Sequence, residues 1–166
     1  GHPERSKIPG IEASTGALGH GLPIGVGMAL AAKIRHENHR VVVLVGDGEI
    51  NEGSVWEAAL SAAKHNLSNL TLFIDYNKLQ SYGLNSEILN LEPLADKWKS
   101  FGFAVEEVDG HNIEELQALV KKIPLENDSP AVVICHTVKG KGFYFAEGKT
   151  EWHHKSKITD DQLNEM

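Results

Sequence analysis

Apolar residues along the 166-residue chain fall into two patterns that alternate from one end to the other. Candidate strands of apolar character occur at Val41 to Val45, Thr71 to Tyr76, Ala104 to Val108 and Ala131 to Thr137. Between them lie segments of helical period, at Leu22 to Arg35, Asn51 to His65, Pro93 to Phe101 and Ile113 to Lys122. Runs such as VVVLV and TLFI lack the in-out alternation of a half-exposed strand, so they predict strands buried on both faces. Strand-length runs separated by helices predict an α/β fold: an open parallel sheet with helices on both faces. Asp109-Gly-His-Asn and the stretch beginning at Leu125 read as turns. The segment 139–156 is rich in Gly, Lys, His and aromatics without a period, and reads as a long functional loop within one domain spanning 1–166.

Composition narrows the partners. With 23 acidic against 16 basic side chains, the net charge is -7 and no basic stripe is present. That balance disfavours nucleic acid and anionic membranes, and no apolar run is long enough to span a bilayer. The single cysteine, Cys135, sits in the apolar run AVVICHT and reads as a buried small hydrophobe, which suits a reducing, cytoplasmic setting. Any phosphate must therefore be captured locally.

The stretch GDGEINEG, Gly46 to Gly53, offers such a place, because it joins the end of a strand to the start of a helix. In open parallel sheets, ligands bind beyond the carboxyl ends of the strands, where helix N-termini present free NH groups. Glycines on both sides of Asp47 allow a bulky anion to approach the backbone. A bare carboxylate would repel that anion unless a divalent cation stood between them, and Mg2+ favours one or two carboxylates together with phosphate oxygens. The next strand ends in Asn77, whose amide oxygen would emerge at the same edge of the sheet. Either motif alone reads equally as an ordinary turn with a solvated polar side chain. Together they point to a metal-diphosphate site.

GDG followed at this distance by Asn resembles the thiamine diphosphate binding motif. The stretches HPERSKIPGIEASTGALGHGL, GDGEINEGSVWEAALSAA, VDGHN and HTVKGKG are similar to the diphosphate-binding domain of transketolases, in particular the amino-terminal subunits of split transketolases. The resemblance implies thiamine diphosphate and Mg2+ as cofactors, with Ca2+ or Mn2+ as substitutes. It implies Asp47, Asn77 and the Leu79 carbonyl as metal ligands, the Gly48 NH on the diphosphate, and Gly16 and Leu18 against the aminopyrimidine. His2 corresponds to a histidine that meets the donor sugar, and His153 to one near the diphosphate and reaction centre. The implied activity is transfer of a two-carbon ketol unit between sugar phosphates.

The carboxylate that activates the aminopyrimidine belongs, in the family, to a pyrimidine-binding domain or carboxy-terminal subunit. The expected assembly is a homodimer or heterotetramer, and the chain on its own is expected to be inactive. Family members also carry an upstream region, so the chain is expected to be a truncated member. Glu52 and Glu57 correspond to positions near the contact between two such domains, although first-turn carboxylates favour a helix start in any case. The chain departs from the family pattern at His20, Ser81-Tyr82 and His154, and Ser81 stands where an apolar side chain ordinarily packs on the cofactor rings. Without partner or diphosphate, the segment 139–154 is expected to be displaced, with His153 far from Asp47. Two other readings remain open: the alpha subunit of a 2-oxo acid dehydrogenase, which shares GDG and NEG, and a catalytically silent binding or assembly module.

Overall fold

The four apolar runs form one parallel sheet in the computed structural model, which describes residues 2–155 and 157–164. Ser156, the end of the expected loop, lies outside the described residues. In chain order, α1 (Gly21–Ile34) leads to β1 (Val41–Gly46), and a 3-10 turn at Glu49–Asn51 leads to α2 (Gly53–Lys64). Then come β2 (Leu70–Tyr76), two short strands β3 (Leu79–Gln80) and β4 (Gly83–Leu84), and the four-residue α3 (Asn85–Ile88). α4 (Leu94–Ser100), β5 (Ala104–Asp109), α5 (Ile113–Lys122), β6 (Ala131–His136), a second 3-10 turn at Thr150–Trp152 and α6 (Asp160–Asn164) complete the described elements. The strand order is β1-β2-β6-β5, and β3 and β4 form a separate antiparallel hairpin.

Side-chain parity divides the sheet into two faces. Val43, Val45, Leu70, Leu72, Ile74, Val132 and Ile134 meet the small residues of α1 and α2 and the aromatic cluster around Trp98. Trp98 stacks on Trp56 at 4.8 Å between ring centroids and meets Phe103 edge-on. On the opposite face Val108, Val133 and Cys135 pack against Leu119 and Leu116 of α5. That second layer covers the β5 and β6 side, while Val42 and Leu44 of β1 remain 61 % and 72 % exposed.

Close approach of α1 to the sheet depends on Gly25. A methyl group there would come within 2.4 Å of Val43, whereas one at Gly27 would meet open space. The sequence pattern does not separate these two glycines. α5 begins where the Asn112 side chain accepts a hydrogen bond from the Glu115 NH at 3.1 Å, and it carries Glu114 and Glu115 in its first turn and Lys121 and Lys122 in its last. Both charge placements suit the helix dipole. α2 starts later than the pattern suggests, because Glu52 is extended (ψ 131) and separates the 3-10 turn from the helix proper. Among the described residues no helix is long and apolar enough to cross a membrane.

Candidate functional site

β1 and β2 end side by side, with Gly46 paired to Asp75, and the turns beyond them converge. The Asp47 NH donates to the Asp75 carbonyl at 3.1 Å. The Asp47 side chain then folds over the next turn: Oδ1 accepts from the Gly48 NH at 2.7 Å and Oδ2 from the Lys78 NH. Asn77 sits in the same turn, where its Oδ1 accepts from the Leu79 NH at 3.0 Å and its Nδ2 donates to Asp75 at 3.1 Å. Lys78 takes a left-handed conformation (φ 68), which brings the carboxylate of one strand end and the amide of the other into a single turn. Gly48 packs on Gln80, and a methyl group at Gly48 would lie 2.9 Å from the Gln80 Cβ. The structure thus brings Asp47, Gly48, Asn77 and Leu79 together.

Asp47 is only 1 % exposed, and no basic side chain among the described residues forms an ion pair with it. Burial pushes its carboxyl pKa up, and the Asp75 carboxylate adds to that. The Lys78 NH, the Asn85 side chain and the Gly48 NH pull the other way. A carboxylate so placed lacks a counter-charge. The turn it bonds also carries the Asn77 amide and the Leu79 backbone, and a carboxylate with amide and carbonyl oxygens is the hard set that Mg2+ or Ca2+ prefers. Seven buried side-chain polar atoms among the described residues have no hydrogen-bond partner. Five of these belong to Asn51, Gln80, Asn85 and His153, which lie on the GDGEIN turn, the hairpin, α3 and the loop above them. Unpaired polar atoms concentrated in one region suit a polar occupant. The residues present therefore fit a divalent cation with an anionic ligand.

The segment 14–19 reaches the same strand ends through Glu49. Its Oε1 accepts from the Gly19 NH at 3.0 Å, and the Ser54 hydroxyl donates to the Gly19 carbonyl at 2.8 Å. Gly16 has φ 148 and lies against the His2 ring, with 3.6 Å from the position of an added methyl group to the nearest ring carbon. Leu18 is 60 % exposed. His2, Gly16 and Leu18 thus share one segment, tied to the GDG turn by Glu49. Glu52 touches Gly19, where a methyl group would come within 2.5 Å of its Cβ.

His153 departs from the expectation of a displaced loop. Its Nε2 is hydrogen-bonded to the Ser81 hydroxyl at 3.1 Å, next to Gln80 and hence to Gly48. The loop that carries it folds on its own aromatic residues, with Phe145 against Phe143, Tyr144 and Trp152. Burial, together with nearby Lys139 and His154, holds the His153 pKa below its ordinary value, which favours the neutral ring. Ser81 fills the place expected of an apolar residue by supplying a hydroxyl to this imidazole. His136 pairs with Glu107 at 2.7 Å, so Glu107 has a partner, and His111 accepts from the Val138 NH at 2.8 Å.

Sequence reasoning missed Glu49, Asp75, Gln80 and Asn85. Asp75 carried a signal, being a charged residue inside the apolar run LTLFIDY. Glu49 directly follows GDG. Gln80 and Asn85 lie in a stretch without a period and gave none.

The family model for the thiamine diphosphate binding domain of transketolase matches residues 1–166. An apulose-4-phosphate transketolase subunit from Actinobacillus succinogenes is 50% identical over 161 residues, which are 97% of this chain and 58% of that protein. The 6-deoxy-6-sulfo-D-fructose transketolase subunit SqwG of a Clostridium species is 41% identical over 160 residues, 96% of this chain and 58% of that protein. The chain thus spans less than two thirds of the curated relatives it matches. Among solved structures, transketolase from Pichia stipitis in complex with sedoheptulose-7-phosphate superposes with a TM-score of 0.88 at 30% identity, over 99% of this chain and 26% of that one. Transketolase from Campylobacter jejuni gives 0.83 at 32% identity, over 92% and 25%. With parallel sheet, strand-end turn and family model in agreement over its whole length, the chain belongs to the transketolase family, in the thiamine diphosphate binding domain.

Proposed function

We propose that this chain is the thiamine diphosphate- and Mg2+-holding half of a cytoplasmic enzyme that transfers a two-carbon ketol unit between sugar phosphates. The observation that carries this reading is the buried Asp47 carboxylate, which accepts from two backbone NH groups and has no ion-pair partner among the described residues, on a glycine-flanked turn at the carboxyl edge of a parallel sheet. Asp47, the Asn77 amide oxygen and the Leu79 carbonyl would hold the cation. The Gly48 NH and the Asn77 and His153 side chains would orient the diphosphate, and Gly16 and Leu18 would meet the aminopyrimidine. Thiamine diphosphate, when bound, supplies the nucleophilic carbon and the electron sink that cleavage of a sugar carbon-carbon bond requires.

In its neutral form His153 can hold or release a proton at its unpartnered Nδ1, while Ser81 fixes the other ring nitrogen. His2, beside Gly16, would contact the donor sugar. Lys139 and His154 next to His153 favour an anionic substituent on the substrate. The named relatives act on apulose-4-phosphate and on 6-deoxy-6-sulfo-D-fructose, so the anionic end of the sugar is the feature to vary in assays. Both relatives are named as subunits, which supports a separate pyrimidine-binding partner in a dimeric or heterotetrameric assembly. The family match does not favour a 2-oxo acid dehydrogenase.

The test is reconstitution. The full-length protein with its pyrimidine-binding partner, thiamine diphosphate and Mg2+ is expected to transfer ketol units, and this chain alone is not. Asp47→Ala in the assembly is expected to abolish Mg2+-dependent cofactor binding in calorimetry and leave the circular dichroism spectrum unchanged. Undiminished cofactor affinity in that variant would return GDG to the status of a turn.

A further inference from the structure

Asn85 opens α3 with a side chain only 4 % exposed, and neither its amide nitrogen nor its amide oxygen has a hydrogen-bond partner among the described residues. A sequence normally avoids burying an amide in this way, because both groups lose water and gain nothing. Its place in the fold is specific. The Asn85 NH donates to the Lys78 carbonyl at 3.0 Å, and the Lys78 NH in turn bonds Asp47 Oδ2, so Asn85 is fastened to the turn that carries Asn77 and Leu79. Its side chain stands beside the Asp47 carboxylate, yet without the geometry of a hydrogen bond. A role in the helix does not account for it, since α3 is one turn long and Leu84, which makes no side-chain cap, precedes it.

We propose that Asn85 is a positioning residue of the cation site, whose buried, unpartnered amide accepts a hydrogen bond from a water molecule carried by the divalent ion. The inference rests on the reading of Asp47, Asn77 and Leu79 as cation ligands. Mg2+ gives up its waters reluctantly, and a site with one carboxylate, one amide and one carbonyl leaves positions for water as well as for diphosphate oxygens. Waters so held are steered by outer groups, and loss of such a group typically costs about 10- to 100-fold in metal affinity. Asn85 is a buried acceptor of that kind with its valence unused.

The experiment separates this role from packing. In the assembled protein with thiamine diphosphate, Mn2+ serves as the probe and free Mn2+ is counted by electron paramagnetic resonance. Asn85→Leu replaces an unpaired amide by an apolar group of similar size, so the melting temperature of the cofactor-free protein should hold or rise. Mn2+ affinity should fall by about tenfold or more. A purely structural amide would give the opposite pattern, and unchanged affinity in Asn85→Leu overturns the proposal. Should Asn85→Leu fold poorly, Asn85→Ser and Asn85→Ala differ by one oxygen. Serine should keep most of the affinity that alanine loses, and equal affinities in the two overturn the proposal. Asp47→Ala serves as the control. If it too leaves Mn2+ binding intact, the cation site itself is misassigned; if it abolishes binding while Asn85→Leu does not, only the role of Asn85 falls.

Discussion

Tyr76 closes β2 by donating its hydroxyl to Glu92 Oε1 at 2.5 Å, and the second oxygen of Glu92 accepts from the Leu94 NH at 2.9 Å. These bonds hold the Glu92 pKa below its ordinary value, with the Tyr76 hydroxyl as the largest cause. Burial, aided by Glu92, pushes the Tyr76 hydroxyl well above its own, so tyrosine remains the donor. A carboxyl whose folded pKa is depressed contributes stability above its unfolded pKa and loses it as the pH falls through the folded value. Tyr76→Phe is therefore expected to cost about 1 kcal/mol near neutral pH, a hydrogen bond to a charge discounted for the exposure of Glu92. The cost should shrink towards zero as Glu92 protonates. Urea denaturation of both proteins from about pH 7 down to about pH 3 measures it, and a constant difference across that range would contradict the assignment. This pair was not legible in the sequence, nor was the contact of Glu49 with Gly19, because in each at least one partner, Glu92 or Gly19, lies in a loop with no period to announce it. Asp47 and Asn77 could be read because they stand at the ends of strands that the apolar pattern defines.

The long elements could be read from the apolar pattern, since the strands of the main sheet stand out as short apolar stretches and each of α1, α2, α4 and α5 carries enough apolar positions to show a helical period. The hairpin of β3 and β4 has two residues per strand, too few for any alternation to show. It nevertheless carries Gln80 and Ser81 to the site and receives the loop through His153. One exposed hydrogen bond between Ser81 and His153 links the loop to that hairpin. Its loss in Ser81→Ala is expected to speed amide exchange over residues 150–155 by about fivefold, the equivalent of about 1 kcal/mol of local stability. Ser81→Thr, which retains the hydroxyl, should exchange as the parent does. Equal exchange in all three proteins would mean that the aromatic cluster around Phe145 holds the loop unaided.

Across the whole molecule, the fold class followed from the apolar pattern, but strand order and the burial of β1 did not. VVVLV reads as a strand buried on both faces, yet α5 covers only the β5 and β6 side and leaves Val42 and Leu44 exposed, and an apolar run says nothing about which neighbour a strand takes. The order β1-β2-β6-β5 places the strand that comes last in sequence between two that precede it. β6 is buried throughout Ala131 to Cys135 and pairs with β2 on one side and β5 on the other. A ribosome delivers the chain in the opposite sense. Until β6 emerges, β2 has an open edge and β5 has no strand partner, so a nascent chain that ends before Ala131 leaves an unpaired apolar sheet edge of the kind that invites association with other chains. The sheet can close only after β6 has emerged. An arrest-peptide force profile is expected to show no folding tension for lengths ending before Ala131 and a single late rise once His136 has cleared the exit tunnel. Tension at shorter lengths would mean that β1, β2 and the helices on them hold together before the central strand arrives.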